Sequence, residues 1–320
     1  MKIKILTTSI QHKISGGTIF NAKLQAYFNQ YSQTTIELIE QIETYTFDKN
    51  HQYIIDGILI SEIQSIERLK DYSVSFLIHL WPSIFALNEL QKYNLAQAEL
   101  AICENFHLIL TGENSKKHIE ETLQTKFNGL IISPGVNNYW KQKKIFSPLP
   151  KKIIYLSNFI ENKGHFRLIE VLSFIKTKEI EIDCYGEILS KNYHDKFLDS
   201  KPENINFKGT VAHQDVNELL LEYDLLVHFS DYESFGMGIL EAIATNLPVM
   251  ITPIGNFKND KNFKFNGILN SFEPRIIATH LDEVCTSKEK YISLIQTVSA
   301  YSVTTWEENF KPLLAKFQLQ

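Results

Sequence analysis

Cysteine is scarce in this chain of 320 residues: Cys103, Cys184 and Cys285 lie far apart, are odd in number and lack metal-ligand spacing. That pattern excludes a disulfide framework and fits buried or incidental thiols in a reducing compartment. No stretch approaches the roughly 18 apolar residues of a spanning helix. The opening MKIKILTTSIQHK has too short an apolar run for a secretory signal and is expected to form a first strand. A cytoplasmic location is the expectation, with a peripheral contact at the inner membrane face left open. An excess of positive charge is missing as well. The net charge is −5, from 14 Lys/Arg against 14 Asp/Glu in residues 1–150 and 18 against 23 in residues 151–320, so nucleic-acid binding has no electrostatic footing. Nor is there an Asp-x-Asp pair to chelate a divalent cation.

What is present is an ordinary globular composition, 44% hydrophobic and 22% charged. The length suits two domains of about 150 residues, each large enough to bury its own core. The most informative stretch runs from Asp224 to Gly255, DLLVHFSDYESFGMGILEAIATNLPVMITPIG. It reads as a strand Leu225–Phe229, a polar loop, the glycine-flanked turn Phe235-Gly236-Met237-Gly238, a helix from about Ile239 to Thr245 and a strand Val249–Thr252. In such a βαβ unit the helix start sits at the carboxyl end of a buried strand, where unpaired N–H groups and the positive end of the dipole suit a diphosphate. Glu233 precedes the turn and Glu241 lies inside the helix. An acid beside a phosphate site needs a neutral partner, and a ribose diol donating two hydrogen bonds suits Glu241. Glu233 would then lie near the group beyond the phosphates. The plainer reading makes Glu233 a solvated loop acid and Glu241 a surface residue favouring the helix start.

In the amino half, strands are expected at 3–7, 36–39, 53–59, 74–80, 107–111 and 130–133, with helices between most of them, the longest over Pro82–Asn105. The alternation implies a parallel sheet with its site at the strand carboxyl ends. Ser15-Gly16-Gly17-Thr18 leads into a helix over Thr18–Tyr31; Gly16 and Gly17 let backbone approach a ligand and Thr18 can cap the helix, or the segment is only a flexible loop. His79 ends another strand, as a satisfied core or loop histidine or as a ligand contact. Pro148 and Pro150 among lysines give residues 141–152 linker chemistry and place the domain boundary near Ser147–Pro150. Those lysines read as a solvated face, with an anionic lipid or diphosphate contact as the alternative. The carboxyl half adds strands at 152–156, 181–185 and 205–208 and helices at 165–176, 215–222, 274–284, 288–301 and 306–317. Trp306 is expected as a packing anchor, and Lys258–Lys264 as an exposed loop.

The segment Glu233-Ser234-Phe235-Gly236 through Leu240-Glu241-Ala242, followed by Pro248-Val249, resembles the E-x7-E signature of glycosyltransferase family 4. Ser157 through Gly164 resembles that family's G-R-x4-K-G element, with Lys163 and Gly164 in place, Ser157 for the glycine and Asn158 for the arginine. Ile132 through Asn137 resembles the PNGVD turn at the end of the first domain, without its asparagine. The resemblance implies an α/β GT-B fold of two Rossmann-like domains facing each other across a cleft: residues 1–148 for the acceptor, 149–303 for the donor, and a helix in 304–320 crossing back to the first. It implies retaining, hexosyltransferase-type transfer from a UDP- or GDP-sugar to a glycan, lipid-linked or protein acceptor, with no metal and no cofactor.

Family positions assign Gly16 and Gly17 to the turn facing donor sugar and phosphate. His79 and Glu233 fall to the sugar, Lys163 with the position of Asn158 to the diphosphate, and Gly186, Thr210 and Val211 to the base. The helix start Phe235, Gly236, Met237, Gly238 and Ile239 takes the phosphates, and Glu241 the ribose. Asparagine offers neutral donors where a guanidinium would supply permanent charge and a bidentate fork. That difference leaves two alternatives beside transfer: a non-catalytic glycosyltransferase-like partner subunit, and a sugar-nucleotide epimerase of the same architecture. Nothing in the sequence addresses the oligomeric state.

Overall fold

A computed structural model describes residues 2–8, 15–177, 179–255, 257 and 267–319. The lysine-rich stretch Lys258–Lys264 lies outside the described residues. The chain divides into two compact units, residues 1–135 with 305–320, and residues 136–304.

The first unit runs β1 (Lys2–Thr7), α1 (Gly16–Phe28), β2 (Thr34–Leu38), β3 (His51–Asp56), β4 (Ser73–Ile78), α2 (Glu89–Asn105), β5 (His107–Leu110), α3 (Glu113–Lys117) and β6 (Gly129–Ile131). Its six strands form one sheet in the order β2-β1-β3-β4-β5-β6, and every pairing is parallel. Strands covered on both faces read as near-continuous apolar runs. Ile54 and Ile55, Phe76 to Ile78, and Leu108 to Leu110 are all buried accordingly.

In the second unit the order is β7 (Lys152–Leu156), α4 (His165–Phe174), β8 (Glu181–Tyr185), α5 (Lys191–Ser200), β9 (Ile205–Gly209), α6 (Val216–Leu221), β10 (Leu225–His228), α7 (Met237–Ala244), β11 (Val249–Ile251), α8 (Pro274–Thr286) and α9 (Lys288–Ser299). Its sheet, β11-β10-β7-β8-β9, is again parallel. Each sheet therefore has one place where the strand order reverses, between β1 and β3 in the first and between β7 and β10 in the second. Crevices at the carboxyl ends of such strands are where open α/β sheets bind ligands.

Several expected elements shift for local reasons. The helix expected over Pro82–Asn105 splits into a 3₁₀ turn at Pro82–Phe85 and α2, because the Asn88 side chain caps a fresh start by accepting from Gln91 N–H. Helix α1 starts at Gly16 rather than Thr18. Ser15 is its N-cap, and Thr18 closes a capping box from the N3 position. Helix α7 starts at Met237 rather than Ile239. Helix α5, not foreseen, is nucleated by Ser190, which accepts from Tyr193 N–H.

The units divide at Gly135/Val136, ahead of Ser147–Pro150, because residues 136–151 pack along the second unit. Trp140 Nε1 donates to Thr245 Oγ1 at 2.7 Å, Lys141 N–H to Asn217 Oδ1 at 2.7 Å, and Ser147 Oγ to Asp224 Oδ1 at 2.6 Å. Lys143 is no part of a solvated face. It is buried, and its ammonium donates to the Leu221 and Tyr223 carbonyls at the end of α6, where a cation meets the negative end of a helix. Burial lowers its pKa, and Asp224 works the other way.

The last helix, α10 (Trp306–Phe317), belongs to the first unit. Trp306 and Phe310 set their rings 5.6 and 5.2 Å from Phe20, and Phe317 lies 5.2 Å from Phe28. Asn309 Nδ2 ties the helix to the Ser133 and Pro134 carbonyls at 3.0 and 3.1 Å. No described helix is long and apolar enough to cross a membrane. Phe310 is fully buried, so Phe310→Ala is expected to destabilise the first unit by about 3–5 kcal/mol in denaturant melting. A variant as stable as wild type would mean that α10 is not part of that core.

Candidate functional site

In the second unit, β7 and β10 end side by side, and the residues beyond them meet. Gly164 is in the left-handed region (φ +70°), and a Cβ there would stand 2.1 Å from the Phe229 carbonyl, so only glycine lets the turn after β7 lie on the end of β10. That approach carries Lys163 to Glu233, with Nζ 2.7 Å from Oε1. His228 Nε2 reaches the same oxygen at 2.7 Å and Ser230 Oγ at 3.3 Å. Three donors thus converge on Oε1, and Oε2 accepts from none of the described residues. Glu233 is buried, 8% exposed. Burial alone would raise its pKa; the Lys163 ammonium and the His228 hydrogen bond overcome this and hold it at about 2.

The Nδ1 of His228 is buried with no partner among the described residues. Its proton therefore sits on Nε2, which donates to Glu233. Tyr155 stacks on the imidazole at 5.6 Å. His228 and Ser230 were not foreseen. The signal was there, as a histidine inside an otherwise apolar strand.

Helix α7 begins beside this cluster. Its N-cap is Gly236, and no side chain caps the first turn; Ile239 N–H turns back to the Gly236 carbonyl at 3.1 Å, which leaves the N–H groups of Met237 and Gly238 to water or a ligand. One turn on, Glu241 is buried, and its Oε1 lies 2.6 Å from His213 Nε2. The plainer reading of both acids as solvated surface groups is thereby set aside. His213, also unforeseen, links Glu241 to the loop after β9 that carries Thr210 and Val211.

Other expected site residues have structural duties. A Cβ on Gly186 would fall 1.9 Å from the Ser157 carbonyl, so close approach of β7 and β8 accounts for that glycine. Asn158 Oδ1 accepts from Glu187 N–H at 3.1 Å and fastens the same two strand ends. Among the described residues no guanidinium takes its place on this rim. Arg167 of α4 is committed to the Phe229 carbonyl at 2.6 Å and to Asp231.

In the first unit, Gly17 and His79 are neighbours: a Cβ on Gly17 would sit 3.2 Å from the imidazole edge. His79 Nε2 lies 3.0 Å from Asn21 Oδ1 and 3.9 Å from Asp56 Oδ2. Burial lowers the His79 pKa, and the Asp56 charge partly opposes that. Gly16 is exposed at the start of α1.

The model of the family Glycosyl transferases group 1 matches residues 136–298, more than half of the chain. The chain belongs to this family. Its fold is that of GT-B glycosyltransferases. Sucrose-phosphate synthase from Thermosynechococcus elongatus superposes with a TM-score of 0.79 at 13% identity, covering 99% of this chain and 98% of that one. Anabaena HepE, in a complex with UDP and glucose, gives 0.78 at 14% identity over 99% of both chains. Among curated relatives, mannosylfructose-phosphate synthase of Agrobacterium fabrum is 28% identical over 114 residues, 32% of this chain. The curated relatives are matched over only 33% and 25% of their length.

The ion pair in this member of the group 1 family has a pH signature. The Glu233 pKa is depressed from 4.5 to about 2 on folding. Its stabilisation, on the order of 3 kcal/mol, is present above the unfolded value and lost as pH falls toward the folded one. Lys163→Met should therefore unfold more readily than wild type at pH 7, with a gap that narrows between about pH 4.5 and 2. Thermal melts across that range test it; a gap that does not change with pH would mean that the pair contributes nothing.

Proposed function

We propose that the chain is a retaining glycosyltransferase of the family 4 type, moving a hexosyl group from a UDP- or GDP-sugar to a glycan, lipid-linked or protein acceptor without a required metal. The observation that carries this reading is the meeting of Lys163, Glu233 and the uncapped start of α7 at the reversal point of the second sheet, with Glu241 one turn along the helix.

In this reading the diphosphate takes the N–H groups of residues 235–238 and the Lys163 ammonium. The bond from the anomeric carbon to the diphosphate oxygen breaks, the acceptor oxygen bonds on the same face of the sugar, its proton passes to the departing diphosphate oxygen, and the remaining charge on the diphosphate is met by those donors. Glu241 accepts from the ribose hydroxyls. Thr210, Val211 and Gly186 border the base, with Asn158 beside the diphosphate. Glu233 orients the sugar as a fixed acceptor, and Gly16, Gly17 and His79 are the donor contacts of the first unit. The UDP and glucose held by HepE, on the same fold, agree with such a donor.

Isothermal titration with UDP, GDP, UDP-glucose and GDP-mannose tests the proposal. One nucleotide should bind selectively, and Glu241→Ala and Lys163→Ala should each weaken it by about 10- to 100-fold, the worth of a hydrogen bond to a charged group. Folded protein that binds no nucleotide would overturn the donor assignment and favour a partner-subunit role.

A further inference from the structure

We propose that Asn21 and Asp56 are positioning residues that hold His79 in its Nε2–H tautomer, so that a bare Nδ1 is left to accept a hydrogen bond from a hydroxyl of the donor sugar. This rests on the donor reading above. The ordering of the side chains rests on geometry alone.

Three neighbouring strands of the first sheet deliver the network. β1 ends at Thr7, β3 at Asp56, and His79 directly follows β4. Asn21 comes from α1, and Thr7, Asn21 and Asp56 are all buried. Asp56 Oδ2 receives Thr7 Oγ1 at 3.2 Å and Asn21 Nδ2 at 2.8 Å, while Oδ1 receives Ile58 N–H at 3.1 Å. An ionised carboxylate only accepts, so the asparagine atom that faces it has to be the amide nitrogen. The amide oxygen then points at His79 Nε2, 3.0 Å away. A carbonyl oxygen only accepts, so Nε2 has to carry the proton. Each link has one allowed orientation, and the buried carboxylate sets all of them. The other tautomer would put two lone pairs 3.0 Å apart in a dry site.

The ring has little freedom to escape this arrangement. Its Cδ2 edge lies against Gly17, where an added Cβ would stand 3.2 Å from it, and Phe20 meets it edge-on at 5.2 Å. Nδ1 makes no hydrogen bond to a described residue, and the side chain keeps 17% exposure. Among the described residues Asp56 is the charged group beside the ring. At 3.9 Å it acts through Asn21 rather than by direct contact.

Two-bond ¹H–¹⁵N correlation spectra of the full-length, ¹⁵N-labelled chain read the tautomer directly, the His79 signals being those lost in His79→Gln. A pyrrole-type Nε2 with a pyridine-type Nδ1 is expected. A pyrrole-type Nδ1, or the averaged shifts of exchanging tautomers, would overturn the inference. In the Asn21→Leu variant Nε2 loses its acceptor, and the averaged shifts of exchanging tautomers are expected in place of the single wild-type form. That variant should also bind UDP-glucose roughly two- to fivefold more weakly, the lower end of one hydrogen bond, with a smaller loss for UDP, which lacks the sugar. Equal loss for both ligands, or an unchanged single tautomer in Asn21→Leu, would count against the positioning role. A wild-type chain that binds neither ligand overturns the donor reading and with it the partner inferred for Nδ1. Binding with the wrong tautomer overturns this inference alone.

Discussion

A carboxylate withdrawn from water has to be neutralised where it stands, and Glu233 imposes that requirement on the second unit. The desolvation of an unpaired buried charge would exceed the worth of most single contacts in the domain. The remedy is distributed along the chain. Gly164 opens a path over the end of β10, Lys163 arrives by that path, and His228 and Ser230 close in from the strand itself. All three meet one oxygen, and the other accepts from none of the described residues. A carboxyl held at about pKa 2 is a poor proton acceptor at neutral pH. Its chemistry is that of a fixed anion that receives hydroxyl hydrogen bonds, which suits orientation of a sugar rather than removal of a proton.

The same constraint explains why polar residues gather at two places. Parallel sheets wound in both directions part their loops where the strand order reverses, and polar side chains at those strand ends avoid burial between layers. In the second unit this brings Lys163 to Glu233. In the first it brings Thr7, Asp56 and His79 to one edge, where Asn21 joins them from the helix. Each cluster is organised by a buried acid, Glu233 in one and Asp56 in the other, and each turns a histidine to a single donor orientation.

Much of this was legible in the sequence, and the exceptions share a cause. Strands such as Glu181–Tyr185 and helices such as Trp306–Phe317 coincide with their expected limits because apolar periodicity and flanking breakers act locally. Glu233 and Lys163 stood out for the same reason, each lying in a compact motif, whereas the start of α7 was expected two residues later than Met237. His228, His213, Asn21 and Asp56 were not, because their meaning depends on partners far along the chain, and a lone polar residue in an apolar strand does not name its partner. The unit boundary slipped for a related reason. Pro148 and Pro150 do look like a linker, but the buried ammonium of Lys143 binds that stretch to α6, and only tertiary structure supplies the carbonyls it needs.

Asn158 and His228 bear on one another through Lys163. An arginine at position 158 would give a bound diphosphate a permanent cation of its own. Asparagine instead fastens the ends of β7 and β8, and Arg167 is spent on Phe229 and Asp231. In the proposed function Lys163 therefore answers to two anions, Glu233 in the free protein and the diphosphate when donor is bound. A lysine is suited to this, since its compact charge swings on a flexible stem. While it is shared, Glu233 still has the Nε2 proton of His228 at 2.7 Å and the Ser230 hydroxyl on the same oxygen. Those two donors let the ammonium turn toward phosphate without stranding a buried charge, and so a site without the arginine can still offer a cation to its leaving group.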